Sequence, residues 1–192
     1  MKKLLYLACM VGLIGATSCK KDDENGPVNQ TTFDGKAYTI KSSMVQDYGS
    51  WDGHYNYDFY LSDATVLDSQ ADELDGKILI YLELFSAGEE RFQTGTFNFD
   101  VTGEVDGKNY FNYAELVYDS NNNSKLDEGD TWLEATAGKV TVSGTSPNYT
   151  VSYDLTFPNN KKLVGSYTGT HQIYEVGSAY PEGERSSKKR LF

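Results

Sequence analysis

A run of oxygen-bearing side chains between residues 119 and 130 has the spacing of a calcium-binding loop. The run reads DSNNNSKLDEGD. Calcium takes about six to eight oxygen ligands, and a twelve-residue loop can supply them from positions 1, 3, 5, 7, 9 and 12. The residues at those positions, with Lys125 offering its backbone carbonyl, are Asp119, Asn121, Asn123, Lys125, Asp127 and Asp130. The spacing predicts a structural calcium site with a dissociation constant of roughly 0.1–1 mM.

The segment resembles the calcium loops of EF-hand and dockerin domains, which carry an apolar residue at position 8, here Leu126. Two residues depart from that pattern. Ser124 replaces the usual glycine at position 6, and Asp130 replaces the longer glutamate at position 12. The flanks AELVY and TWLEA have the composition of strands rather than of helices. The alternative is an asparagine-rich loop between two strands whose acidic side chains are only solvated.

The elements that would position this loop are short β-strands. HYNYDFYLS and YTVSYDLTF alternate between two faces, which is typical of half-buried antiparallel strands. KILIYLELF is apolar on both faces, which suits either a more buried strand or a strand covered by a loop. Further candidate strands are residues 36–41, 95–100, 110–118, 132–136, 139–143 and 162–172.

Turn signals separate these strands. Asp-Gly pairs begin at residues 34, 52, 75 and 106, and Pro158 opens the run PNN. Asp, Asn and Gly tolerate the positive φ angles of tight hairpin turns. The pattern predicts an all-β domain, an antiparallel meander of about eight to ten strands, with a lipocalin-like barrel favoured over a sandwich. Residues 64–74 are the one segment in which a short helix would fit.

Residues 138–170, GKVTVSGTSPNYTVSYDLTFPNNKKLVGSYTGT, resemble the closing strands of small Bacteroidetes lipoproteins. Those proteins carry lipocalin-like or sandwich domains. The likeness covers about a fifth of the chain and consists of hairpins rather than of a chemical motif. It implies a small β-domain and no particular activity.

Catalytic motifs are missing from the sequence. It has no GxSxG, HExxH or glycine-rich phosphate loop, and its two histidines, His54 and His171, do not lie in a known ligand spacing. We therefore expect no enzyme and no catalytic residues, and predict a non-catalytic binding or structural module. The alternatives are an accessory subunit of an outer-membrane assembly and, after it, a hydrolase built on paired carboxylates.

Aromatic residues offer candidates for a ligand-binding site. The chain has 15 tyrosines and 2 tryptophans, and the segment YGSWDGHYNY concentrates several of them. Aromatic faces bind sugars, peptides and flat ligands. Trp51, Tyr55 and Tyr57 are the candidate binding residues, for a glycan, a peptide or an apolar ligand. The alternative is that these rings fill the core.

The N-terminus has the layout of a secretory signal. Lys2 and Lys3 precede a short apolar run, and small residues lead into Cys19. The segment IGATSC resembles a bacterial lipobox, which implies cleavage before Cys19 and lipidation of that cysteine. The predicted organisation is a signal peptide (1–18), a lipidated cysteine with a charged tether (19–31), an all-β domain (32–176) and a polar tail (177–192).

The residues after Cys19 and the overall charge indicate location and partners. KKDDE resembles the lysine-plus-acids export signal of Bacteroidetes surface lipoproteins, which implies the outer membrane and the cell surface. The membrane contact would be the lipid on Cys19, and an outer-membrane protein is a candidate partner. A formal net charge of −11 argues against nucleic acid as a partner, because phosphates repel a negative chain.

Overall fold

The computed structural model describes residues 29–65, 74–103 and 105–176. These residues form twelve β-strands and a short 3₁₀ turn at Pro158–Asn160. The strands are β1 Gln30–Phe33, β2 Lys36–Thr39, β3 Ser42–Trp51, β4 His54–Ser62, β5 Ile78–Ala87, β6 Gly95–Phe99, β7 Tyr110–Tyr118, β8 Thr131–Glu134, β9 Ala137–Thr145, β10 Asn148–Phe157, β11 Lys161–Thr170 and β12 Gln172–Glu175. The all-β prediction is confirmed.

The strands form a mixed sheet that curls into a half-barrel, so the predicted barrel-like architecture is confirmed. The order across the sheet is β12-β3-β4-β5-β7-β6-β9-β10-β11-β1-β2, and β8 pairs with β7. The sheet departs from a pure meander because β6 pairs with β7, and β12 with β3, in parallel. Only His171 separates β11 from β12. This stretch of chain therefore pairs first with β10, through β11, and then with β3, through β12.

Two of the predicted Asp-Gly turns join hairpins. Asp34 and Gly35 connect β1 to β2 with φ angles of 48° and 81°, and Asp52 and Gly53 connect β3 to β4 with 45° and 79°. Two successive residues with positive φ make the turn whose twist matches that of the flanking strands. This is the physical reason for aspartate followed by glycine at both sites.

The inner face of the sheet holds the main hydrophobic core. In β10, Tyr149, Val151, Tyr153, Leu155 and Phe157 are buried, and the residues between them are exposed or half-buried. The interior is filled by rings as much as by aliphatic side chains. Its largest fully buried aromatic residues are Phe59, Phe97, Phe111 and Phe157.

A second apolar layer covers the outer face of β3, β4, β5 and β7. It consists of Met44, Tyr60, Ala64, Leu74, Leu79, Val117 and Leu126, with Tyr81 and Trp132 packed against it. Leu79 of β5 packs in one cluster with Leu126 of the loop at 119–130. A loop therefore covers part of the outer face of β5.

Some predicted segments fall outside the described residues. These are the signal, Cys19, residues 20–28 of the tether with the run KKDDE, the tail and residues 66–73 of the candidate helix. Strand β1 begins at Gln30, so the last two residues assigned to the tether belong to the sheet. Within the described part of the chain, no helix has the length and apolar character needed to cross a membrane.

Candidate functional site

Three aromatic rings stack at one end of the curled sheet, which we call the mouth. The β3–β4 hairpin, the β5–β6 loop (residues 88–94) and the start of β10 form this end. The Phe92 ring lies 4.3 Å from Tyr57 and 5.5 Å from Phe97 between centroids, with interplanar angles of 4° and 5°. We call Tyr57, Phe92 and Phe97 the ring stack.

Strand alternation supplies the two outer rings of the stack. Tyr57 precedes the buried Phe59 and Leu61 on the inner face of β4, and Phe97 is the fully buried residue of β6. Phe92 comes instead from the β5–β6 loop, where its neighbours Glu90, Arg91 and Gln93 are exposed. The loop therefore inserts one ring into the end of the core.

A polar rim lies beside the ring stack. The Tyr55 hydroxyl donates to Asp47 Oδ2 at 3.3 Å, and the Gly49 N–H donates to Asp47 Oδ1 at 2.9 Å. Burial, and then the Asp47 charge, raise the pKa of Tyr55. The same two causes raise the pKa of Tyr57. Both phenols therefore stay protonated and can donate hydrogen bonds at neutral pH.

The structure brings two of the three predicted binding residues together. Tyr55 and Tyr57 lie at the mouth, with ring centroids 5.9 Å apart. The register of β3 on β4 shifts between Asp47 and Gly49, which leaves Trp51 opposite His54. Because opposite residues share a face, this bulge places Trp51 on the other side of the sheet from Tyr55.

Sequence reasoning missed Asp47, Phe92, Phe97 and Tyr149 as residues of the mouth. Phe97 and Tyr149 lie in predicted strands, so alternation indicated that their side chains are buried. It did not indicate that they lie at the mouth. Phe92 had a usable signal, since it is the one apolar side chain in the polar run GEERFQTG. A single aromatic residue in a polar loop between two strands indicates that its ring anchors the loop to the core.

His171 is a buried structural link. Its Nδ1 lies 2.6 Å from Ser43 Oγ, and its Nε2 lies 3.3 Å from the Tyr149 carbonyl oxygen. Because the carbonyl can only accept, Nε2 carries the proton and Nδ1 accepts from the serine hydroxyl. Burial lowers the pKa of His171 to about 4. The pair joins β3 to the β11–β12 junction, with Phe59 packed edge-on against the imidazole.

The predicted calcium loop is held in shape by its own backbone amides. Asp119 accepts from the N–H groups of Asn123 and Ser124 at 3.1 and 2.9 Å, and Asp130 accepts from Ser120 and Asp127 at 3.0 and 3.2 Å. Ser124 has a φ of 65°, so it adopts the left-handed conformation for which glycine is usual. The donor set consists of oxygens, as calcium requires.

The other four predicted ligands, Asn121, Asn123, Lys125 and Asp127, lie in the same loop, where Asp127 Oδ1 accepts from the Gly129 N–H at 2.7 Å. Asn121 Oδ1 accepts from the Asn123 N–H at 2.9 Å, and the Lys125 N–H donates to Asn123 Oδ1 at 2.8 Å. Among the described residues, no three His, Cys, Asp or Glu side chains are grouped closely enough to hold a metal ion. Calcium binding by this loop stays a prediction.

Three acidic side chains lie on the outer face of the sheet, on the neighbouring strands β4, β5 and β7. Asp58 lies directly opposite Glu83, and Glu115 lies opposite Tyr81 on the next strand. All three acids are buried. The Tyr81 hydroxyl donates to Asp58 Oδ2 at 2.5 Å, and Asn56 Nδ2 donates to Oδ1 at 3.0 Å. Burial and the charges of Asp58 and Glu83 raise the pKa of Tyr81 well above its usual value.

Comparison of the chain with protein-family models, with curated proteins and with solved structures finds no match.

Proposed function

We propose that the domain is a non-catalytic binding module that takes an apolar or aromatic ligand at its mouth. The observation that carries this proposal is the ring stack, in which Phe92 leaves an exposed loop to lie between Tyr57 and Phe97. Aromatic side chains supply large rigid contact areas at low cost in side-chain entropy. A mouth lined by such rings suits a flat or apolar ligand.

The polar rim supports a ligand with one polar group. Asp47 is half-buried and accepts from Tyr55, so its carboxylate is fixed in place at the edge of the rings. Ligand sites commonly combine apolar walls with a few placed polar groups that fix orientation. Asp47 and Tyr55 would take that role here.

The binding test is a titration of the full chain with three probe classes: a soluble oligosaccharide, a short unstructured peptide and p-cresol. We expect p-cresol to shift the NMR resonances of the Tyr57 and Tyr149 rings. Tyr57→Leu, which removes one aromatic wall but keeps an apolar side chain, should weaken this response. A response to the oligosaccharide alone would overturn the apolar assignment.

Lipid attachment at Cys19 is proposed as the means by which the domain is held at the outer membrane. The lipobox-like IGATSC and the KKDDE run support this location at the cell surface. Stable anchoring needs two acyl chains or an equivalent second signal, which a lipoprotein cysteine typically carries. Metabolic labelling with palmitate should mark the wild type and not Cys19→Ala. Protease shaving of intact cells should remove the domain without lysis.

A part in an outer-membrane assembly is the alternative for the same anchored domain. It predicts that the chain co-purifies with a membrane protein after mild detergent extraction. Loss of that partner from Cys19→Ala, with the domain still folded, would show that the anchor brings the two together.

A hydrolase is the second candidate, and the acidic group on the outer face favours it. Asp58 and Glu83 are buried carboxylates on neighbouring strands, and hydrolysis of glycosides uses two carboxyl groups. Turnover of a glycoside panel that Asp58→Asn and Glu83→Gln each abolish would establish this activity. Turnover by wild type and both variants alike would point to a contaminant.

A further inference from the structure

We propose that residues 88–95 form a gate over the mouth, and that the Phe92 ring occupies the place of a planar aromatic ring of the ligand. This inference rests on the proposed binding function. It adds the chemical class of the ligand and the movement that admits it.

The surroundings of Phe92 define the shape of the slot. Tyr57 and Phe97 lie parallel to its two faces. Phe59 lies 5.9 Å away at an interplanar angle of 57°, and Tyr149 lies 6.4 Å away at 73°. Two faces and two edges are thus bounded by rings, with room between the faces for one flat ring. A saturated ring is thicker than an aromatic ring and has no π face to stack against Tyr57 and Phe97, so it should bind more weakly.

The loop that carries Phe92 is attached by few contacts. The Gly88 N–H donates to the Gly53 carbonyl at 2.9 Å, and the Gln93 N–H donates to Ser86 Oγ at 3.0 Å. Glu89 Oε1 accepts from the Gly53 N–H at 2.9 Å, in an exposed contact. Residues 88–91, 93 and 94 are exposed, so Phe92 is the loop's single buried anchor. Segments with few buried contacts open at low free energy.

Glycines stand at both ends of the loop. Gly88 has a φ of 89° and Gly95 a φ of 154°, which are conformations that other residues rarely adopt. Such positions can absorb the backbone change of a hinge. Rotation about them would carry Phe92 out of the slot, with loss of the Gly88 N–H bond to Gly53 and of the Gly95–Val142 pair that begins β6.

When a ligand displaces Phe92 from the slot, its aromatic ring makes contacts with the surrounding rings that replace those lost by Phe92. The net affinity then depends on the ligand's contacts with the rim and on the fraction of molecules in which the gate is open. A change that strains only the closed loop should therefore tighten binding.

Gly88→Ala provides that change. A Cβ at Gly88 would meet nothing within 4 Å, so the substitution adds backbone strain in the closed loop without a clash. Gly35→Ala is the matched control, because Gly35 has a φ of 81°, also has nothing within 4 Å, and lies in the β1–β2 turn. Both variants carry similar strain, but only one carries it in the gate.

The experiment titrates p-cresol and its saturated analogue, 4-methylcyclohexanol, into the full chain labelled with 3-fluorophenylalanine. We expect Gly88→Ala to bind p-cresol about fivefold more tightly than wild type, and Gly35→Ala to match wild type within about twofold. The fluorine resonance of Phe92, assigned through Phe92→Leu, should leave its ring-current-shifted position on binding. The saturated analogue should bind at least about tenfold more weakly.

Each contrary outcome is informative. Binding of p-cresol with the Phe92 resonance unmoved, or equal affinity in both glycine variants, would overturn the gate and leave the binding function standing. Equal affinity for the saturated analogue would overturn the planar-ring ligand. If p-cresol fails to bind even to Gly88→Ala, the gate and the aromatic class both fail. The oligosaccharide and peptide titrations then decide the broader function.

Discussion

Leu74 and Leu126 exchange both backbone hydrogen bonds across an isolated antiparallel bridge, at 3.0 and 2.8 Å. Leu126 is position 8 of the predicted calcium loop and is fully buried in the outer apolar layer. The loop is therefore fastened to the body of the domain by an apolar side chain as well as by the chain at its two ends.

Leu126→Ala should destabilise the domain by about 2–5 kcal/mol, because a large buried side chain is removed and a cavity is left. Val101→Ala is the control. Val101 is 80% exposed, so its truncation should change stability by less than about 0.5 kcal/mol. Urea unfolding followed by tryptophan fluorescence measures both. Equal midpoints for the two variants would show that Leu126 does not anchor the loop.

Calcium should raise the melting temperature relative to a chelator. With calcium at about ten times the dissociation constant, the gain is about 1.4 kcal/mol, or about 3–6 °C for a domain of this size. Asp119→Asn should lose this response, because it removes a carboxylate while keeping one of the two side-chain oxygens that accept from the Asn123 and Ser124 amides. Asp106→Asn, at an exposed aspartate of another turn, should keep it. Identical melting in chelator and in millimolar calcium would contradict the site.

The stability of the domain should depend on the protonation of His171. Its pKa is about 4 in the folded chain, against the ordinary histidine value of 6.5, because burial disfavours the imidazolium. The unfolded state therefore binds more protons between these values, and the contribution of neutral His171 is complete above pH 6.5. It falls by about 3 kcal/mol as the pH drops to 4.

His171→Gln tests this pH dependence. The glutamine amide can still donate to Tyr149 and accept from Ser43, but it does not titrate. Urea unfolding at several pH values between about 4 and 7 should give a shallower fall in stability for the variant. Carboxylates titrate in both proteins, so the difference between the curves isolates the histidine. The same fall in stability with pH for wild type and variant would refute the role of His171 in this pH dependence.

Tyr81→Phe should cost about 1.5–3 kcal/mol, because it removes a donor to the buried Asp58 carboxylate. Tyr174→Phe is the control, since Tyr174 is 43% exposed and its hydroxyl donates to the exposed Gln172. Thermal unfolding of the two variants provides the comparison. A loss no larger than that of the control would mean that Asp58 does not depend on this hydrogen bond.

Alternation allowed some strands to be predicted to the residue. β4 and β7 begin and end at the predicted positions, because each alternates or is apolar along its length and is bounded by turn residues. β3 was missed. Its sequence SSMVQDYGSW is largely polar and its alternation breaks at the bulge between Asp47 and Gly49. The strand predicted over residues 162–172 covers β11 and reaches only the first residue of β12, since the sequence does not mark where a strand changes partners.

The candidate site was predictable only where it followed the strand pattern. Alternation places Tyr55 and Tyr57 on one face of β4, and the structure has them adjacent. Trp51 lies four residues from Tyr55 in the sequence, but the bulge turns it to the other face. Asp58, Glu83 and Glu115 come together through cross-strand register, which depends on pairing between distant segments.

The partners of the last strands lie at the other end of the domain sequence. β11 pairs with β1, where the Thr31 hydroxyl donates to the Val164 carbonyl across 133 residues, and β12 pairs with β3. Such long-range pairings raise the contact order and slow folding, because the entropy cost of closing a large loop comes before the stabilising contacts form. The sheet cannot be completed until Gln172–Glu175 is available. A truncation that removes β12 should therefore leave β3 as an unpaired edge strand that is prone to aggregation.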